Sequence, residues 1–143
     1  MSMMTKTWGR RGLITIKHLK ALGDLYHERE TLLRNPEISP EERTQIEDMM
    51  AEQIRLEKIN AQKEKAKPLN GPFEHEYGVS CNLELYHAYE SQALDKLFPP
   101  LIAKAIKDGN EQRTEEYNRE YQERIKLMRV FHNQERDNFT DQF

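Results

Sequence analysis

The sequence contains a single cysteine, Cys81, and no long hydrophobic run. One cysteine cannot form an internal disulfide, and no apolar stretch approaches the ~20 residues that a transmembrane helix needs. No apolar signal region follows Met1. These absences predict a protein of a reducing, cytoplasmic setting without a membrane partner.

Apolar residues are scarce as well, since hydrophobic residues make up 36% of the chain and charged residues 33%. This balance is typical of long, solvated helices whose buried surface a second chain completes. We therefore expect association with another protein or with a second copy of the chain. The net charge of −3 is too small to indicate a polyanionic partner for the whole molecule.

Helical periodicity predicts an all-α fold. We expect two antiparallel helical hairpins that form a four-helix bundle-like domain with a kink at Pro99-Pro100. The predicted order is a basic flexible arm (1–12), helical hairpin 1 (13–67), an irregular crossover (68–80) and helical hairpin 2 (81–143), all in one domain.

Several short signals place the ends of these helices. Asn35-Pro36 ends the first helix, because a residue before proline disfavours the α region. Ser39 then caps the second helix, with Pro40 in its first turn and Glu42 completing a capping box. Gly109 marks the turn between the last two helices.

The first 23 residues carry basic side chains and no acidic ones, which gives them a local charge of about +5. One interpretation is a solvated terminus whose Trp8 packs back on the bundle. The other is a binding segment for an acidic protein surface or for nucleic-acid phosphate. Its candidate residues are Lys6, Trp8, Arg10, Arg11, Lys17 and Lys20.

Histidine and glutamate also occur on helix faces that are otherwise apolar. In the third helix, Glu90 falls near the middle of the apolar face and His87 on its flank. If the last two helices fold back about Gly109, opposite positions sum to about 219. His87 then faces His132, and by the same rule Glu84 faces Glu135.

Three hypotheses account for these polar positions. The first is a buried salt-bridge network that pairs Glu90 with Arg124, or with Arg129 if the prolines do not shift the register. The second is exposure to solvent or to a partner chain. The third is a site for Zn or Fe, because imidazole suits these metals and helix bundles hold carboxylate–histidine sites. Its ligands would be His87, Glu90, His132 and Glu135.

The Glu-x-x-His motif of carboxylate-rich di-iron bundles occurs once, as Glu84-Leu85-Tyr86-His87. The last helix has the reverse order, so the sequence assigns no family. No Gly-rich phosphate loop and no catalytic residue can be singled out.

The sequence favours a non-enzymatic helical protein that binds another macromolecule, as an accessory, regulatory, inhibitor or assembly factor without a cofactor. The alternatives are a metal-binding bundle and a nucleic-acid binder that uses the basic N-terminal arm.

Overall fold

A computed structural model describes residues 3–66 and 83–140, with side chains from 11–66 and 84–137. This part of the chain forms four helices: α1 (Met3–Leu33), α2 (Pro40–Ala66), α3 (Leu83–Lys107) and α4 (Glu111–Thr140). The all-α bundle predicted from the sequence is confirmed. The predicted crossover over 68–80 lies outside the described residues. None of the described helices is long and apolar enough to cross a membrane.

Helix α1 begins at Met3 rather than at Leu13, so the prediction of a flexible arm is wrong for residues 3–12. Gly12 suggested a loop, but it is buried inside the helix. Glu90 Oε1 lies 4.0 Å from the position that a Cβ on Gly12 would occupy. A Cβ at this distance would make only an ordinary van der Waals contact, so the packing does not require glycine here. Glycine costs the helix ~1 kcal/mol relative to alanine.

Helix α3 continues through Pro99 and Pro100 to Lys107 and does not stop at Phe98. Each proline lacks the N–H that would bond the carbonyl four residues earlier, at Asp95 and Lys96. Both prolines and both of these residues are exposed. Water can therefore satisfy the freed carbonyls, and the helix persists.

The turns follow the sequence signals. Ser39 Oγ accepts from the Glu42 N–H at 3.1 Å, which confirms the predicted N-cap of α2. Gly109 has a φ of 69°, and Asn110 N–H donates to Ala105 O at 3.0 Å. This is a Schellman motif, and Asn110 Oδ1 then accepts from Arg113 N–H at 3.0 Å to cap α4.

Polar contacts fix the directions of the helices. Arg43 near the start of α2 donates to Leu33 O at the end of α1, whereas Glu64 near the end of α2 pairs with Lys17 in the middle of α1, so these helices are antiparallel. Arg11 contacts Glu90 near the start of α3, whereas Arg34 contacts Asp108 just after its end. Helices α1 and α3 are therefore parallel neighbours, and α4 runs back against both.

The apolar core lies between α1, α3 and α4, with one contribution from α2. Tyr26 forms its centre, with the rings of Phe98 and Tyr117 at centroid distances of 6.3 and 5.3 Å. The buried cluster consists of Leu19, Leu22, Tyr26, Ile54, Leu94, Leu97, Phe98, Leu101, Ala105 and Tyr117. Polar groups occupy the bundle on the side of this core that faces the start of α1.

Candidate functional site

A buried polar cluster is built around Arg11, whose guanidinium lies between carboxylates of α3 and α4. Nε and Nη2 donate to Glu135 Oε2 and Oε1 at 3.1 and 2.6 Å. Nη1 and Nη2 donate to Glu90 Oε2 and Oε1 at 3.0 and 2.8 Å. Both contacts are two-point, charge-assisted hydrogen bonds, the strongest class in proteins. One side chain thus joins three helices.

Two histidines complete this Arg11 cluster, which we define as Arg11, His87, Glu90, His132 and Glu135. His132 Nε2 lies 3.0 Å from Glu90 Oε1, and His87 Nε2 lies 3.3 Å from Glu135 Oε1. The two imidazole rings stack with their centroids 3.7 Å apart. His87 Nδ1 is buried without a hydrogen-bond partner in the described part of the chain.

The electrostatics keep the cluster charged. Burial by itself raises the pKa of Glu90, but hydrogen bonds from His132 and Arg11 outweigh it and leave the pKa below its ordinary value. Burial lowers the pKa of Arg11, yet the hydrogen bonds to Glu90 and Glu135 raise it above its ordinary value. Glu90 is therefore a carboxylate at neutral pH, paired with a permanently charged guanidinium.

The donor atoms also suit a metal ion. His87, His132 and Glu135 offer ligand atoms that lie within 4.8 Å of one another. Imidazole nitrogen and carboxylate oxygen are ordinary ligands of Zn and Fe. Arg11 already occupies both oxygens of Glu135. A metal held by these three residues must therefore displace part of the guanidinium contact.

The structure brings together all four residues that the sequence suggested as metal ligands, His87, Glu90, His132 and Glu135. The predicted facing of His87 and His132 is confirmed. Glu84, predicted to face Glu135, pairs at the surface with the adjacent Arg136, whereas Glu135 is buried in the cluster.

The predicted pairing of Glu90 with Arg124 or Arg129 is also wrong. Glu90 binds Arg11, while Arg124 Nε donates to Glu120 at 3.2 Å. The exposed Arg129 points away from the core. The cation that pairs with Glu90 therefore comes from α1. The sequence prediction considered only the pairing of α3 with α4 and so placed this cation on α4.

The basic residues near the N-terminus separate into different environments. The side chain of Arg11 is 13% exposed and holds two carboxylates of the bundle, so it is engaged within the fold. Lys17 is exposed and lies 3.6 Å from Glu64, and Lys20 is exposed. The side chains of Lys6, Trp8 and Arg10 lie outside the described ones.

His18 is a buried ionisable residue that was not among the candidates predicted from the sequence. Its Nδ1 lies 3.1 Å from Glu57 Oε1, and Arg124 Nη2 donates to its Nε2 at 3.3 Å. Burial lowers its pKa, and the nearby Arg124 lowers it further against the opposing effect of Glu57. Helical spacing could have indicated the burial of His18, because Arg11 and His18 lie on the same face of α1 as Leu22.

A second polar network spans the core near Tyr26. The Tyr26 hydroxyl donates to Glu120, and Arg29 Nη2 donates to the Tyr117 hydroxyl at 2.9 Å. The Tyr117 hydroxyl in turn donates to Glu30 at 2.8 Å. These bonds satisfy tyrosine hydroxyls that would otherwise be costly to bury.

Comparison of the chain with protein-family models, with curated proteins and with solved structures found no match.

Proposed function

We propose that this protein is a non-enzymatic helical binding protein that holds an amphipathic helix of another protein in a groove between α1 and α3. The presence of this apolar groove is the main support for the proposal. Its volume is about 540 Å³, and its wall is predominantly apolar. The apolar wall is formed by Leu13, Ile16, Leu19, Tyr89, Ala93 and Leu97.

The shape of the groove suits a helix. Along α1 its lining runs from Leu13 to His27, which corresponds to about 20 Å at the helical rise. Gly23 contributes no side chain, and Leu97 Cδ1 lies 3.0 Å from where its Cβ would be. The floor is therefore closely packed, while Tyr89 stands 48% exposed at the side. An amphipathic helix that covers such a groove buries its apolar face.

The rim of the groove differs from the interior of the bundle in its unpaired charges. Lys20 and Lys96 are exposed on opposite sides of the groove, and neither forms an ion pair within the described residues. Asp24 is the acidic residue among those lining the groove. We infer an occupant that carries acidic residues beside its apolar stripe, because opposite charges guide and orient association.

The buried ionisable groups support a binding role over an enzymatic one. Arg11 contacts both Glu90 and Glu135 at two points each, so both carboxylates already hold close partners. A general base or nucleophile needs a free position from which to reach a substrate. The Arg11 cluster instead joins helices.

Site-specific crosslinking tests this proposal. A photoreactive amino acid in place of Gln92 at the groove should crosslink a protein from the native host, and mass spectrometry should map the adduct to an acidic amphipathic helix. A synthetic peptide of that helix should bind the protein. The change Ala93→Arg in the groove should weaken this binding at least about tenfold, while Ala103→Arg, at an exposed position of the same helix, should not.

Two outcomes would contradict the proposal. One is a peptide that binds Ala93→Arg and wild type equally. The other is an adduct between two copies of this chain, which would make the groove the interface of the homo-oligomer expected from the low apolar content.

A metal-binding bundle is the second candidate. The convergence of His87, His132 and Glu135, together with the unpartnered Nδ1 of His87, favours it. Zn or Fe would be held by these residues, with Glu90 beside them. Nucleic-acid binding through the N-terminal segment has less support, because Arg11 is committed to two carboxylates.

A further inference from the structure

A second concavity lies between α2 and α4, away from the groove. It is a cleft of about 460 Å³ whose lining includes His18 from α1 and four basic side chains: Lys58, Lys65, Arg119 and Arg124. A small cavity of about 40 Å³ adjoins it and shares Lys65, Arg124 and Leu127 with its lining. The cavity is also lined by Arg11, Thr15, Glu90 and several apolar side chains, and the Glu90 carboxylate is held by Arg11.

Donors without partners converge on this small cavity. Thr15 Oγ1 is buried and has no hydrogen-bond partner in the described part of the chain, and the residue is only 9% exposed. Lys65 is half-buried and forms no ion pair with any described residue. Arg124 uses Nη2 for His18 and Nε for Glu120, which leaves Nη1 to donate elsewhere.

The surroundings of Lys65 are unfavourable to its charge. Burial lowers its pKa, and the neighbouring Arg11 and Arg124 lower it further, against a smaller opposing effect of Glu90. A half-buried cation beside two other cations is costly unless an anion accompanies it. Two of the carboxylates that line the concavities are already engaged: Glu90 by Arg11, and Glu120 by Lys58 and Arg124.

We propose that this cleft binds a small phosphorylated molecule whose oxyanion contacts Lys65, Arg124 and Thr15. The ligand supplies Lys65 with a negative charge and Thr15 Oγ1 with an acceptor, neither of which the described residues provide. The small cavity has room for about one or two water-sized atoms. It therefore takes one or two oxygens of the anion, and the remainder of the ligand occupies the larger cleft.

The outer part of the cleft limits the size of the ligand. Glu116 and Glu123 are among its lining residues. These carboxylates repel a long polyanion that runs out along the surface. A compact phosphate ester or free phosphate therefore fits better than nucleic acid. The cleft uses a different face from the α1–α3 groove, so this inference is independent of the proposed protein partner.

Calorimetric titration with inorganic phosphate and pyrophosphate tests the site. We expect saturable binding, with shifts of the Thr15 and Lys65 resonances in parallel NMR titrations. Lys65→Gln should weaken binding by roughly tenfold or more, and Thr15→Val should weaken it several-fold, since hydrogen bonds to a charged group are the stronger ones. The control is Lys63→Gln, an exposed lysine on the same helix, which should leave the affinity unchanged.

Measurements of stability with and without ligand show whether a variant loses binding because its fold is altered. Without ligand, Lys65→Gln should be at least as stable as wild type, because it removes a half-buried charge that no described residue pairs. Pyrophosphate should raise the Tm of wild type but not of Lys65→Gln. Absence of saturable binding, or equal binding by Lys65→Gln and Lys63→Gln, would overturn the proposal and leave water as the occupant of the small cavity.

Discussion

The rings of His87 and His132 stack with their centroids 3.7 Å apart and their planes inclined by 13°. The stack places one Nε2 beside Glu135 and the other beside Glu90. It lies at the same end of the bundle as Arg11, which holds both carboxylates. The five side chains of the Arg11 cluster therefore form a salt-bridge network. If the guanidinium yields, the histidines and carboxylates become available as ligands for a metal.

A metal ion in the cluster would compete with Arg11 for the carboxylate of Glu135. If the cluster binds Zn²⁺, chelator-treated protein should take up about one ion per chain with a rise in Tm. His87→Ala should abolish this uptake, while His27→Ala, an exposed histidine of α1, should not. Arg11→Met should strengthen binding, because it removes the group that occupies Glu135. Untagged protein with no response to either Zn²⁺ or Fe²⁺ would exclude the metal candidate.

Loss of Arg11 should destabilise the fold more than loss of either carboxylate charge. Arg11→Met leaves two buried carboxylates without their cation, and we expect a cost of about 3–5 kcal/mol in the free energy of unfolding. Glu90→Gln should cost less, since Arg11 keeps Glu135. Urea denaturation measures both values.

The matched comparison is the triple variant Arg11→Met, Glu90→Gln, Glu135→Gln, which removes all three formal charges. It should be more stable than Arg11→Met alone, because no uncompensated charge remains. Arg55→Met at the exposed Glu52–Arg55 pair should change little. A triple variant less stable than the single one would show that the charges themselves are required.

His18 should make stability depend on pH in the mildly acidic range. Its pKa in the folded protein lies below the ordinary value, with burial as the first cause. The unfolded chain therefore binds a proton that the folded protein rejects. Stability is full above about pH 6.5 and falls as the pH drops from there toward the folded pKa.

The variant His18→Gln should flatten this part of the pH profile. Glu57 on α2 and Arg124 on α4 are the charged groups that contact His18, so both must stay unchanged in the comparison. His27→Gln, at an exposed position, is the control. Unfolding free energies measured from pH 5 to 8 would contradict the assignment if both variants followed the wild-type slope.

Gly109 should tolerate substitution poorly for a reason confined to the backbone. Its φ of 69° lies in the left-handed region, and nothing lies within 4 Å of where a Cβ would be. Gly109→Ala should therefore cost on the order of 1 kcal/mol, and Gly109→Asn less. Thermal unfolding of both variants tests the order; equal loss would indicate a steric cause instead.

Local features could be predicted from the sequence because they depend on neighbours in the chain. The Ser39 cap and the Gly109 turn use contacts within a few residues. The facing of His87 and His132 also follows from local information, since a tight turn fixes the register of the two helices it joins. Helix α3 keeps this register because Pro99 does not end it.

The partner of Glu90 could not be predicted in this way. A helical wheel shows which face of α3 is buried, but not which helix covers it. Arg11 lies 79 positions from Glu90 and 124 from Glu135. The predicted arm ended at Gly12, but this glycine lies inside α1.

The contact between Arg11 and Glu135 joins the first helix to the last across 124 positions. Closing so long a loop costs more entropy than forming either hairpin, so we expect this contact to form after the folding transition state. Interactions absent from that state govern the rate of unfolding. Arg11→Met should then open the bundle faster while barely slowing its formation. The buried ion pairs would in this way set the lifetime of the folded chain.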